Sequence, residues 1–396
     1  MNPQELTENP CQKKVDNNKE KVFTSNFIML LAALFLGIVS LTALLFVLPI
    51  YLVSIGGSEA TAGVATGIFT FSSIGLRPVL GRYIDKYGCK KILMLGMGLY
   101  CASAFLYIFA SIPLTVYMLR ALQGIGWGAF FVSSFTLAAE LAPSLRQGEV
   151  MGYFTSAPPI GMAVGPVVGE YLFLQWGFNT AFVVSTLIAA TALTFSFFFK
   201  EGTIKLSKQN SGSFVSRAVL FPSTIVFMIN VSLGAIITFL PLLSQARNIT
   251  NAGLFFTVYG VIVFLTRPFG GRAVDRYGYR LIVLPSLASL CLAMIVISFM
   301  PNVVFLIIAA ALFGLGLSLS FPALMSLAIT LSPQDERGRA MATFTSAIDL
   351  GIGLGSMGLG FVLVFTSYSF IYLICAVITI AGFAVMLRHR QQNLQE

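Results

Sequence analysis

Three ionisable residues stand inside long apolar stretches of this 396-residue sequence: Arg120, Glu170 and Asp349. A charge in apolar surroundings is unfavourable unless it is paired, hydrogen-bonded or wetted. A carboxylate in such a place can bind and release a proton, and a guanidinium can pair with an anion. The chemistry that these residues indicate is therefore the handling of protons or ions.

The composition predicts that these elements are transmembrane helices. Hydrophobic residues make up 57% of the chain, and charged residues only 10%, whereas soluble domains carry roughly 25% charged residues. The apolar runs, such as 27–49 and 182–199, are long and continuous, which favours helices over the alternating strands of a membrane barrel. We expect an all-α membrane protein.

Metal and enzyme chemistry are not indicated. His389 is the single histidine, and the five cysteines are odd in number, share no metal-like spacing and are expected to be reduced. There is no Gly-x4-Gly-Lys-Ser/Thr sequence for ATP. We expect no cofactor, no metal site and no enzymatic activity.

Hydropathy at about 20 residues per crossing predicts twelve spans. They are roughly 26–53, 60–82, 90–110, 113–140, 150–173, 178–199, 218–244, 250–272, 280–300, 303–331, 338–364 and 367–388. The predicted organisation is a disordered cytoplasmic N-terminal arm (1–24), a six-helix bundle (25–199), a cytoplasmic linker (200–217), a second six-helix bundle (218–390) and a cytoplasmic tail (391–396).

The basic residues predict the orientation. With both termini in the cytoplasm, all but two of the 24 Lys and Arg, namely Arg120 and Arg247, fall on the cytoplasmic side. The net charge of +9 then reflects topology and contacts with membrane lipids rather than nucleic-acid binding. We expect a multi-pass protein of the plasma membrane, and a monomer.

An internal repeat relates the two bundles. Residues 77–88 match residues 267–278 at an offset of 190, with seven of twelve positions identical, and the register continues through Gly124/Gly314 and Met151/Met341. Two similar bundles of parallel topology predict a binding cavity between them near the membrane midplane, with access that alternates by rocking.

The sequence resembles the major facilitator superfamily over residues 25–390. Gly81-x3-Asp85-x2-Gly88-x-Lys90 is similar to the signature loop between spans 2 and 3 of that family, and Gly271-x3-Asp275-x2-Gly278 is similar to its counterpart between spans 8 and 9. Arg120-x2-Gln123-Gly124 resembles the fourth-span motif of proton-coupled members. The run of Gly161, Gly165, Pro166 and Gly169 resembles the fifth-span motif of drug:proton antiporters.

The resemblance implies that the signature loops latch the two halves on the cytoplasmic side, with Arg146 as a candidate partner for Asp85. A plain tight turn is the alternative. The glycines at 81 and 88 suit a short turn, which needs close approach or positive φ. The resemblance also gives Arg120 a part in proton coupling. Arg120 lies roughly 10 Å below the outer face at 1.5 Å per residue, so extension of its side chain to the outer interface is the competing interpretation.

Asp349 lies roughly 16 Å into its span, close to the midplane, which makes it a candidate proton carrier or else a structural partner. Glu170 stands where the family's fifth-span motif usually has glycine. We expect it to be solvated at the outer interface, with proton coupling as the alternative. The glycines 161, 165 and 169 recur every four residues and predict close helix packing.

Less specific candidates for the lining of the substrate cavity are Gln123, Asn230, Tyr51 and Tyr259, with Phe and Met side chains around them. The resemblance favours a secondary active transporter that exports an amphiphilic small molecule in exchange for protons. The first span has no charged residue, so a neutral, anionic or zwitterionic metabolite, sugar or siderophore is as compatible with the sequence as a cationic drug. Proton-coupled uptake with the same fold, and a transport-dead sensor or scaffold, are also compatible with it.

Overall fold

The computed structural model describes residues 23–76, 80, 83–84, 87–142, 146–198, 216–333 and 337–392. Within these ranges, only the backbone is described at 147–148, 267–272, 275, 337–338 and 389–392. The predicted N-terminal arm, most of the linker and the last residues of the tail lie outside the described residues.

The described residues form twelve long α-helices and two short 3-10 helices (Tyr107–Phe109 and Arg217–Val219), which confirms the predicted fold class. Two long helical stretches, Gln147–Phe198 and Leu254–Phe299, are each divided by a glycine with positive φ, Gly177 (φ 82°) and Gly278 (φ 78°). The helices are α1 (Ser25–Ser54), α2 (Glu59–Gly75), α3 (Cys89–Leu106), α4 (Pro113–Leu141), α5 (147–176), α6 (178–198), α7 (Leu220–Ala246), α8 (254–277), α9 (279–299), α10 (Val303–Leu331), α11 (Arg337–Leu363) and α12 (Tyr368–Gln392).

Side chains satisfy the backbone groups that several helix starts would leave unpaired. At the start of α2, Ser58 and Thr61 form a reciprocal capping box, with the Ser58 N–H donating to Thr61 Oγ1 (3.0 Å) and the Thr61 N–H to Ser58 Oγ (3.4 Å). At the start of α10, Asn302 Oδ1 accepts the N–H of Val304 (3.0 Å). These caps fix where the helices begin after their short connections.

The sequence repeat is also a repeat of packing. A Cβ on Gly124 of α4 would collide with the carbonyl oxygen of Phe69 on α2, and a Cβ on Gly314 of α10 would lie 3.2 Å from the carbonyl oxygen of Tyr259 on α8. Both residues of the second pair follow those of the first by 190 positions. The two six-helix halves, α1–α6 and α7–α12, therefore use equivalent helix contacts.

Nine helical stretches among the described residues are long and apolar enough to cross a membrane, and one of these, Glu149–Phe198, contains both α5 and α6. Large apolar side chains such as Leu95 and Phe365 are exposed on the outside of the bundle, where lipid would cover them. The chain is a multi-pass membrane protein. These nine stretches contain ten of the twelve helices, and α2 and α8 complete the set. With twelve successive crossings, α1 begins and α12 ends on one face, here named the terminal face. The opposite face is named the distal face.

Candidate functional site

The first contact between the halves is the α2–α11 seam. A Cβ on Gly63 would collide with the carbonyl oxygen of Ser356, and a Cβ on Gly360 would lie 3.3 Å from the Cα of Gly63. From α7, the Thr238 hydroxyl lies 3.1 Å from Thr66 Oγ1 and 3.0 Å from Ser356 Oγ. Small residues thus let the backbones of the two halves meet, and a chain of hydroxyls joins them.

The second contact is the α5–α8 seam, which holds Glu170. Its Oε1 accepts the N–H of Ala252 (2.8 Å) and its Oε2 accepts the N–H of Gly253 (2.7 Å), immediately before α8. One level deeper, the Thr257 hydroxyl donates to the carbonyl oxygen of Ala163 (2.7 Å). Glu170 is only 9% exposed, so the expectation of a solvated residue at the outer interface is wrong. Hydrogen bonds to the other half satisfy the carboxylate instead.

The two seams are repeat equivalents. Gly63 corresponds to Gly253 and Gly360 corresponds to Glu170 at the offset of 190. Helices α2 and α8 begin at the distal face, and α5 and α11 end there. The protein is therefore closed on its distal side in this conformer.

The same helices have more room toward the terminal face. A Cβ on Gly75, at the end of α2, or on Gly152, near the start of α5, would meet no heavy atom of the described residues within 4 Å. Tyr153, beside Gly152, is 42% exposed. The close approach of the seams near the distal face is not repeated at these positions.

Asp349 lies on the terminal side of the α2–α11 seam. It is half-buried on α11, four residues before Gly353, and a Cβ on Gly353 would lie 3.2 Å from Thr70 of α2. Residues four apart share a helix face, so Asp349 is on the face of α11 that meets the other half. It is not isolated there, because it has an interaction partner.

Arg120 lies in a buried polar cluster inside the first half. Its Nη1 donates to Gln123 Oε1 (2.9 Å), and the Tyr107 hydroxyl donates to the same oxygen (2.9 Å). The guanidinium carbon lies 5.4 Å from the centre of the Phe69 ring, a cation–π distance. Arg120 is 1% exposed, so its side chain does not extend to the interface.

The Arg120 cluster is incompletely satisfied. Among the described residues, neither Arg120 Nε nor Gln123 Nε2 has a hydrogen-bond partner, and no described carboxylate forms an ion pair with the guanidinium. A buried cation without a counter-charge is unfavourable. The arrangement can bind an anion or respond to a change of charge nearby.

The glycines of the fifth-span motif all face α1. A Cβ on Gly161 would lie 2.6 Å from Ile38, one on Gly165 would collide with the Thr42 hydroxyl, and one on Gly169 would lie 2.7 Å from the carbonyl oxygen of Ala43. The neighbouring Pro166 lies inside the helix. The close packing expected from their spacing is present, within the first half.

The remaining cavity candidates are not brought together. The Tyr51 hydroxyl donates to the carbonyl oxygen of Ala110 (2.6 Å) in the first half. In the second half, Asn230 Nδ2 donates to the carbonyl oxygen of Val226 (2.7 Å), one turn earlier in α7, and Tyr259 is buried in α8. The hydrogen bonds of Tyr51 and Asn230 stay within their own halves, and Gln123 belongs to the Arg120 cluster.

The latch candidates are only partly described. Gly88 (φ 88°) and its repeat equivalent Gly278 (φ 78°) both have positive φ, a conformation that favours glycine. Gly81 and Asp85 lie outside the described residues. Gly271 and Asp275 belong to the helical stretch Leu254–Phe299, and only their backbone is described.

Two basic latch candidates have partners on the terminal face. Lys90 Nζ donates to the carbonyl oxygen of Phe197 (2.8 Å), which ties the start of α3 to the end of α6. Arg146 forms an exposed ion pair with Glu149 (2.7 Å). An exposed pair of this kind adds little stability.

Sequence reasoning missed the hydroxyl chain of Thr66, Thr238 and Ser356. Single Thr and Ser residues in apolar helices carry no distinctive pattern. The Gly63-x3-Gly67 spacing in α2 was the available signal, because small residues four apart mark a face of close helix approach. It marks the helix face, but not the partner helix.

Two equivalent six-helix halves meet at one face of the membrane. This arrangement is typical of transporters that open alternately to the two sides of a membrane. The sequence matches the family model described as Major Facilitator Superfamily over residues 29–250 and 220–394. The chain belongs to this superfamily, and it is a secondary transporter.

Individual proteins support the assignment. The chain is 26% identical to the multi-drug resistance efflux pump PmrA homolog of Lactococcus lactis, over 73% of this chain and 76% of that protein. It is 24% identical to the staphylopine export protein of Staphylococcus aureus, over 82% of this chain and 86% of that protein. The solved structure of the nucleoside transporter NupG aligns with a TM-score of 0.74 at 14% identity, covering 92% of this chain and 99% of that one.

Proposed function

We propose that the protein exports an amphiphilic small molecule across the plasma membrane in exchange for protons, by alternating access. The terminal face is then cytoplasmic, as the distribution of basic residues favours, and the distal face is external. The distal-closed conformer is the state that would take up substrate from the inner side. The similarity to an efflux pump and to a staphylopine exporter supports this direction.

The observation that supports proton coupling is the position of Asp349. Its half-buried carboxylate lies on the face of α11 that meets the other half. It is one turn before Gly353, which approaches Thr70 of α2. Rocking of the halves about the seams would change the surroundings of this group. Such a change alters its proton affinity and lets proton binding favour one conformer over the other.

Arg120 is the second proton-coupling group in this proposal. Its unused donors and those of Gln123 lie in a buried cluster that meets α2 through Phe69. Helix α2 also forms the seam, so movement of α2 would alter the packing over the guanidinium. The signature loops, with Asp85 and Asp275, would hold the cytoplasmic side when that side closes.

The test is proton-driven flux in reconstituted vesicles. Asp349→Asn keeps the shape and removes the titrating group, so substrate export driven by a pH gradient is expected to be lost while substrate binding remains. Glu140→Gln is the matched control, because it removes a carboxylate from an exposed position at the end of α4. Wild-type flux in Asp349→Asn would remove Asp349 from the mechanism, and flux in the inward direction would replace export by uptake.

A second candidate substrate class has its own support. Helix α1 contains no charged residue, and the buried Arg120 pairs with no described carboxylate. Both features favour an anionic or zwitterionic metabolite over a cationic drug, because nothing in α1 neutralises a cation. Competition between a polycarboxylate chelator and a lipophilic cation for export decides this, and exclusive export of the cation would reject the second candidate.

In this proposal the protein acts as a monomer with a small-molecule substrate, protons and membrane lipids as its partners, and it performs no covalent chemistry. The described residues contain no group of three or more His, Cys, Asp or Glu that could hold a metal ion.

A further inference from the structure

The carboxylate of Glu170 crosses between the halves and binds the start of α8. The N–H groups of Ala252 and Gly253 each donate to a different oxygen of the carboxylate (2.8 and 2.7 Å). Unpaired N–H groups at a helix start, together with the helix dipole, favour a negative charge at this point. The ionised form of Glu170 is therefore the form that suits the closed seam.

The seam does not need a charge in order to close. On the equivalent α2–α11 seam, Gly360 takes the place of Glu170, and a Cβ added to it would lie 3.3 Å from the Cα of Gly63, the equivalent of Gly253. On that side of the molecule, glycines bring the backbones of the two halves together without a charge. The carboxylate on the other side adds a property that packing alone does not supply, which is sensitivity to protons.

Glu170 also lines a depression between the halves near the distal face. Phe46 and Ile50 of α1 and Ser244 and Gln245 of α7 form its walls with the α7–α8 connection. Among the described lining residues, Glu170 is the only ionisable side chain. A proton that enters this depression therefore meets Glu170 as its acceptor.

The basic residue of the same connection is turned away from this site. Arg247 donates to the carbonyl oxygens of Ser298 (2.6 Å) and Met300 (2.8 Å) at the end of α9, and to Ser369 Oγ (2.8 Å) at the start of α12. These bonds fix its guanidinium within the second half. None of the described residues that line the depression is basic, so the N–H groups of Ala252 and Gly253 are the donors that stabilise the carboxylate there.

We propose that Glu170 is the proton-sensitive positioning residue of the distal gate. The ionised carboxylate holds the start of α8 against α5 and keeps the gate closed. A proton taken from distal water onto one carboxylate oxygen removes a charged acceptor, weakens the bond to α8 and favours opening. The assignment of the distal face as external rests on the proposed function, and in that setting an external proton would open the gate for substrate release.

The experiment measures the access of a cysteine reporter. Ser244 is 1% exposed at the depression, and Ser244→Cys, in a background without the five native cysteines, would react with an impermeant maleimide only when the gate opens. Labelling at the distal face is expected to rise about tenfold from pH 8 to pH 5, which is the effect of losing one charge-assisted hydrogen bond. In Glu170→Gln, labelling is expected to be fast at both pH values.

Controls separate gating from general damage. Glu59→Gln removes another half-buried carboxylate at the distal face, one that accepts a hydrogen bond from Tyr368 (3.3 Å), and it should retain the pH dependence. Glu170→Gly introduces the residue found at Gly360, so it should close the seam without a charge and lose the pH dependence. This second variant keeps the test open if Glu170→Gln folds poorly.

Two results would overturn the proposal. One is a pH dependence that persists in Glu170→Gln and Glu170→Gly. The other is a wild-type labelling rate that does not change with pH. The assay uses neither substrate nor a proton gradient, so its outcome is independent of whether the protein exports, and a failure of proton-driven export would leave the gate assignment standing.

Discussion

A single methyl group at Gly63 is expected to drive the protein out of its distal-closed conformer. The added Cβ would collide with the carbonyl oxygen of Ser356 and lie 3.3 Å from the Cα of Gly360. Both contacts are with backbone of the other half, so no side-chain rotation can relieve them. Overpacking of this kind costs about 1–3 kcal/mol, and the cost disappears when the seam opens. The equilibrium should therefore shift by about 5- to 150-fold toward the distal-open conformer.

The cysteine reporter at Ser244 measures this shift for Gly63→Ala. The matched control is Gly358→Ala on α11, because a Cβ at Gly358 would meet nothing within 4 Å. Gly63→Ala should raise the labelling rate from the distal side, and Gly358→Ala should leave it unchanged. A folded Gly63→Ala protein that labels at the rate of its parent would refute the reasoning, since the seam would then not be closed by backbone contact.

Two further predictions concern the inside of the first half. Gly165→Ala should lower the thermal unfolding midpoint, because its Cβ would collide with Thr42 within the α1–α5 contact at a cost of about 1–3 kcal/mol, whereas Gly98→Ala, with open space around it, should not lower it. An equal midpoint for the two variants would contradict the packing role of the motif. Arg120→Lys keeps the charge and loses the planar guanidinium, so proton-driven export per folded protein should fall by at least about tenfold. Full export by this variant in reconstituted vesicles would show that charge alone is sufficient there.

The fold could be predicted from the sequence because its signals are local or repeated. Long apolar runs give the helices, and the offset of 190 gives the two halves. The positive φ of Gly88 and Gly278 follows from the need for a tight turn before the next helix. The spacing of the fifth-span glycines predicts their shared face, and their packing on α1 is the tertiary consequence.

The candidate site was less predictable, because burial depends on which helices meet. Counted along its own helix, Glu170 is near a membrane interface, and solvent is its expected partner. The structure instead places the start of α8 over it, through contacts more than 80 residues away in sequence. The hydroxyls of Thr66 and Thr238 could not be predicted for the same reason, because they bond to each other only when the two halves meet on the distal side.

The repeat separates packing from chemistry. Glycines that hold helices together recur in both halves, as at Gly124 and Gly314. The three ionisable residues within the apolar helices do not recur: the equivalents of Arg120, Glu170 and Asp349 are Ala310, Gly360 and Pro159. Equivalent glycine contacts let the two halves move in the same way. A charge that is present in only one half has no equivalent in the other, so the movement changes the surroundings of that one group. We therefore expect changes at the repeated glycines to alter how readily the halves move, and changes at the three single charges to alter how that movement depends on protons.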